Sequence, residues 1–164
     1  YTNLKMKLLL CIFAVLLIAG CNGLWPIDEM IMQPLSVEPS DSDIIWKWEV
    51  DSFSYNLIKE QYNVKDQKVE LLINKNGTFE AINFPDFVAD GLGKSINSKL
   101  LNAKGNRKIT LENTRVLTME FDKGDLYKWG VGTSYDLYIK DSQLVIRTFI
   151  GDPDQADRLM FIKK

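Results

Sequence analysis

Asn74-Lys75-Asn76-Gly77 separates two stretches of alternating apolar residues, Val69, Leu71 and Ile73 before it and Thr78-Phe79-Glu80-Ala81-Ile82 after it. Side chains of a strand point to opposite faces in turn, so each stretch has one apolar and one polar face. Asn and Gly both tolerate positive φ, which lets the chain fold two such strands back on each other. The middle of the chain is thereby committed to an antiparallel sheet that buries one face. The same period recurs on either side. Ile44, Trp46, Trp48 and Val50 alternate with Ile45, Lys47 and Glu49, and further strands are predicted at Lys108–Glu112, Val116–Phe121, Ser134–Lys140, Leu144–Phe149 and Leu159–Lys163. Lys140-Asp141-Ser142-Gln143 is short enough to close another hairpin. About seven or eight strands at this spacing predict a mainly all-β domain over Ile44–Lys164, an antiparallel sandwich or an up-and-down barrel. Two segments break the pattern. Residues 53–66 read as a loop or an edge strand, and Phe84–Asn106, with Gly91, Gly93 and Gly105, reads as a short helix or irregular lid.

The N-terminal part follows another rule. Leu8–Ala19 is an unbroken apolar run of 12 residues behind Lys5 and Lys7. A positive flank, a short apolar stretch and small residues at its end describe a secretory signal peptide, residues 1–20, with translation expected to start at Met6. The run falls short of the roughly 20 apolar residues that a membrane-spanning helix needs. Asn22–Asp43 contains Pro26, Pro34 and Pro39 and ends in Glu38-Pro-Ser-Asp-Ser-Asp43, the composition of an extended tether. At about 3.1 Å per residue it would reach up to roughly 60 Å.

Leu17-Ile18-Ala19-Gly20-Cys21 resembles the lipobox of bacterial lipoproteins. The resemblance implies cleavage between Gly20 and Cys21, a diacylglycerol on the Cys21 sulfur and a fatty acyl chain such as palmitate on the new amine. Two or three acyl chains hold a protein firmly at a membrane, whereas one holds it only marginally. The partner implied is therefore a membrane of the bacterial cell envelope. In a diderm cell, Asn22 rather than Asp after the lipidated Cys favours the outer membrane. In the domain itself, the Trp-bearing first strand, the Asn76-Gly77-Thr78-Phe79 hairpin and Gly151-Asp152-Pro153-Asp154 before a final apolar strand resemble small bacterial lipoproteins with lipocalin-like β-domains. That similarity implies a lipocalin-like barrel and carries no settled activity.

Composition narrows the chemistry. Twenty Lys and Arg stand against 22 Asp and Glu, and without residues 1–20 the balance is 18 against 22, a net −4. Nucleic acid, which wants a basic face, is a poor partner for such a surface. His is absent, and with it the commonest metal ligand and neutral-pH acid–base group. No Gly-x-Ser-x-Gly elbow, P-loop or His-Glu-x-x-His occurs. Glu49, Asp51, Glu70, Glu80, Glu112, Glu120 and Asp122 read as solvent-facing strand residues, and Asp152, Asp154 and Asp157 as turn residues rather than a metal loop. No catalytic, metal or cofactor site is expected. The aromatics are the suggestive set. Trp46, Trp48, Trp129 and Tyr135, with Tyr127, Tyr138, Phe79, Phe121 and Phe149, either fill a β core or line an apolar cavity. The first case fits an interaction or inhibitor lipoprotein working through exposed loops, such as Lys123–Gly132 with Tyr127 and Trp129. The second fits a non-catalytic binder of a hydrophobic small molecule or envelope component.

Overall fold

The computed structural model describes residues 32–62, 67–86, 99–111, 114–150 and 157–164. Gly20, Cys21 and the signal segment, residues 87–98 and the Gly151–Asp154 turn lie outside the described residues. In chain order the elements are β1 (Gln33–Pro34), α1 (Asp41–Ile44), β2 (Lys47–Val50), α2 (Ser52–Tyr62), β3 (Glu70–Ile73), β4 (Thr78–Pro85), β5 (Leu100–Leu111), β6 (Arg115–Phe121), β7 (Val131–Lys140), β8 (Gln143–Phe149) and β9 (Arg158–Lys163). From β2 to β9 each strand pairs antiparallel with the next, and β9 returns to β2 through Trp48↔Lys163 and Val50↔Phe161. The result is a closed, eight-stranded, lipocalin-like barrel, with β1 added outside β7. Closure leaves no unpaired edge between the first and last barrel strands, which is what decides barrel over sandwich.

Local chemistry explains most of the strands. The Asn74–Gly77 connection is a hairpin, with Asn74 N–H donating to Thr78 O at 2.9 Å. Among its residues only Gly77 takes positive φ, at 81°, so the geometry is the longer loop that ends in one left-handed residue. The two-residue hairpin with both central residues left-handed occurs instead at Asp141 (φ 50°) and Ser142 (φ 63°). In β4 the register shifts between Ala81 and Phe84, with Asn83 left-handed at φ 55°. This bulge lets Phe84, rather than residue 83, follow Phe79 and Ala81 into the core. Asn83 is held there by its N–H to Asn102 Oδ1 (2.9 Å) and its Nδ2–H to Lys68 O (2.8 Å).

Several sequence expectations change. Residues 53–66 were predicted as loop or edge strand, but Ser52–Tyr62 is helical. Asp51 starts this helix by accepting Ser54 N–H at 2.8 Å, which makes it a buried helix cap rather than a solvent-facing strand residue. The predicted strand from Ile44 begins only at Lys47, because Asp41–Ile44 coil into a helical turn tied by Ser40 to Asp43. The 84–106 segment is strand at both described ends, since β5 runs 12 residues from Leu100. Residues 32–43, assigned by sequence to the tether, lie along the barrel: Gln33 and Pro34 pair with Ile139 and Tyr138, and Leu35 N–H donates to Leu137 O at 2.9 Å.

The two ends of the barrel differ. The turns 74–77 and 141–142 share one end with α1, the start of β6 and Lys164, while the start of α2, the end of β4 and the Asp122–Gly130 loop share the other. Between them the interior is packed with rings. Phe79 meets Phe121 edge-on at 4.8 Å, Phe84 stacks on Phe161 at 5.4 Å, and Phe121 lies 4.6 Å from Tyr127. Tyr135 sits in this core with a fully buried hydroxyl that has no hydrogen-bond partner among the described residues. Burial pushes its phenol well above the ordinary value, and that of Tyr127 up to about 12. Both folded values lie above the unfolded one, so this stabilisation is complete below about pH 10 and declines as pH rises beyond it. Tyr135→Phe removes an unsatisfied buried donor and is expected to raise stability by about 1 kcal/mol, with a shallower loss in alkaline urea melts. A less stable variant would show that the hydroxyl has a partner.

Candidate functional site

The four aromatics singled out by sequence do not form one pocket. Trp48 and Tyr135 are inside the barrel and fully buried, and Trp48 Nε1–H donates to Ile44 O at 3.0 Å. Trp46 is 50% exposed at the short-turn end, where its indole N–H donates to the carbonyl of Lys164. Its place follows from the shortened β2: the residue before the strand sits on the rim rather than among the inward-facing side chains. Trp129 is 89% exposed in the β6–β7 loop at the opposite end, whereas Tyr127 of that loop is 8% exposed and packed against Phe121. The loop is thus exposed at Trp129 and anchored at Tyr127, contrary to the expectation that both face solvent. Lys163 connects the two remaining tryptophans, its Nζ lying 5.8 Å from the Trp46 ring centre and 5.6 Å from that of Trp48.

The inward side chains decide what the interior can hold. Trp48, Leu71, Phe79, Phe84, Leu117, Met119, Tyr135, Leu137, Ile146 and Phe161 all have zero exposure. A void wide enough for a ligand would leave part of their surface reachable by a water-sized probe. The middle of the barrel is therefore a filled core, as an eight-stranded barrel permits.

Two concavities border that core. One, of about 800 Å³, is bounded by Thr78–Ile82 of β4, Asn102–Asn106 of β5 and the Asp122–Tyr127 segment. Gly105 is required here by close approach, since a Cβ on it would lie 1.9 Å from Glu120 O. The other, of about 590 Å³, lies at the short-turn end between Leu35, Val37–Pro39 and Asp43, Trp46, the β7–β8 turn with Ile139 and Leu144, and Lys163 and Lys164. Its acidic neighbours are exposed but have partners on the protein. Asp43 accepts from Ser40 Oγ at 2.6 Å and Ser40 N at 3.0 Å, which lowers its pKa below the ordinary carboxylate value. Glu38 lies 3.8 Å from Arg115, and Asp41 3.5 Å from Arg107. Lys47 is bridged to Glu70 at 2.8 Å, and that hydrogen bond raises its pKa.

A third feature is structural. α2 is fastened to β9 by Ser54, whose Oγ accepts from Met160 N–H (2.9 Å) and donates to Arg158 O (3.1 Å). Arg158, almost wholly buried, stands 4.0 Å from Asp51 and 4.5 Å from the Phe53 ring centre. No sequence motif marks this joint, because it links residues 104 and 106 positions apart. Among the described residues no group of three Asp, Glu, Cys or His is placed to hold a metal ion, and no helix is long and apolar enough to cross a membrane.

Fold and surfaces together define a class: a closed, mainly filled, lipocalin-like β-barrel with grooves bordering its core. No protein-family model, curated protein or solved structure matches this chain.

Proposed function

We propose that this is a lipid-anchored lipoprotein of the bacterial cell envelope whose barrel is a non-catalytic binding module. The anchor is carried by Lys5, Lys7, the apolar run and Ala19-Gly20-Cys21, with the acyl chains on Cys21. For the barrel, the supporting observation is the zero exposure of its inward rings, which argues for recognition on the outside rather than in the lumen. The lead partner is therefore another envelope component, met through the grooves and the exposed Trp129 loop. A second reading, a hydrophobic small molecule, draws support from the groove between β4, β5 and Asp122–Tyr127, whose size lies in the range of small-ligand sites. Outer-membrane placement rests on Asn22 alone.

Cys21→Ser tests the anchor. The variant is expected to accumulate as a precursor that keeps its first 20 residues and lacks the mass of attached acyl chains. Normal processing with membrane attachment would refute the assignment. Intact-mass and lipid-extract mass spectrometry of the purified native protein separates the two binding readings, since only the second expects a co-purifying small molecule.

A further inference from the structure

We propose that the short-turn end of the barrel, at the groove holding Trp46, is a docking face for an anionic lipid surface; this rests on the reading of Cys21 as the anchor. The described chain begins at Met32, which precedes the pairing of Gln33 with Ile139 and so sits beside the β7–β8 turn at this end. Cys21 is 11 positions earlier, a contour of at most about 40 Å. An acylated Cys21 holds Met32, and with it this end, within that reach of the headgroups.

The chemistry of the end suits that surface. Val37 is 70% exposed and Trp46 50% exposed, and both line the groove. Indole rings favour the boundary between headgroups and acyl chains, where an apolar body and a polar N–H are both accommodated. Lys163 and Lys164 flank the same groove, and among the described residues neither is in an ion pair. Glu38, Asp41 and Asp43 are engaged with Arg115, Arg107 and Ser40, and Asp43 also feels the charge of Lys163, so the two lysines stand chiefly against the exposed Asp141 of the β7–β8 turn and leave this rim positive. Lysines near an anionic leaflet add attraction while their stems lie along apolar surface.

The test uses the full, acylated chain with Trp25→Phe, reconstituted into phosphatidylcholine vesicles containing a minority of phosphatidylglycerol. Brominated acyl chains are expected to quench the emission that Trp46→Phe removes and to spare the emission that Trp129→Phe removes. Changing Lys163 and Lys164 together to Gln should abolish most of that quenching, as should high salt. Trp46 emission untouched by brominated lipid would overturn the docking face. Acylation is read separately, by intact mass. An acylated protein with unquenched Trp46 keeps the anchor and loses the docking face, while quenched Trp46 on an unacylated chain keeps the docking face and loses the anchor.

Discussion

Trp48→Ala is expected to lower stability by about 3–5 kcal/mol, the largest loss from any single core truncation in this barrel. Trp48 is fully buried where the first and last barrel strands meet, opposite Lys163 in β9 and Leu71 in β3. Its removal leaves a cavity, deprives Ile44 O of a hydrogen bond, and loosens the closing pair β2–β9. With total stabilities of about 5–15 kcal/mol, such a loss takes a third or more of the whole. At a urea slope of about 1–3 kcal/mol/M, the midpoint should fall by about 2 M. Trp46→Ala, on the rim and half exposed, should move it little. Equal shifts for the two variants would mean that Trp48 is not the keystone of closure.

Gly105→Ala is the second large effect, and it acts through the backbone. The Cβ would meet Glu120 O at 1.9 Å and Phe121 Cα at 2.9 Å, so no side-chain rotation relieves it. Strands β5 and β6 must separate at Gly105↔Phe121, next to the Asp122 N–H bond to Lys104 O. The expected cost is at least about 3 kcal/mol. Gly132→Ala in β7 is the control, since a Cβ there meets nothing within 4 Å. Urea melts of the two should differ by more than 1 M at the same slope. Comparable melts would show that β5 and β6 shift apart at little cost.

The hairpin over Asn74–Gly77 and the strands after it were legible because period-2 alternation is a local signal, set by which side of the backbone each side chain leaves. Turn geometry was less so. The left-handed pair expected at Asn-Gly is found at Asp141-Ser142, where five registered pairs of β7 and β8 from Asp136↔Arg147 to Lys140↔Gln143 fix the loop at two residues. α2 was missed because its residues show no strong apolar stripe; Ser54 and Asp51 hold it against β9 from far along the chain. Trp46 was grouped with Trp48 by spacing alone. The spacing holds only while the chain is extended, and after α1 the strand starts at Lys47, one residue too late for Trp46 to enter the core.

By itself, then, the sequence determined that the domain would be an antiparallel β-structure with one apolar face per strand, because alternation and turn chemistry act between neighbours a few residues apart. Tertiary structure alone decided that β9 meets β2, that rings fill the middle of the barrel, and which aromatics are buried or exposed. Those outcomes depend on register and closure, which couple residues more than a hundred positions apart and leave no mark in any local window.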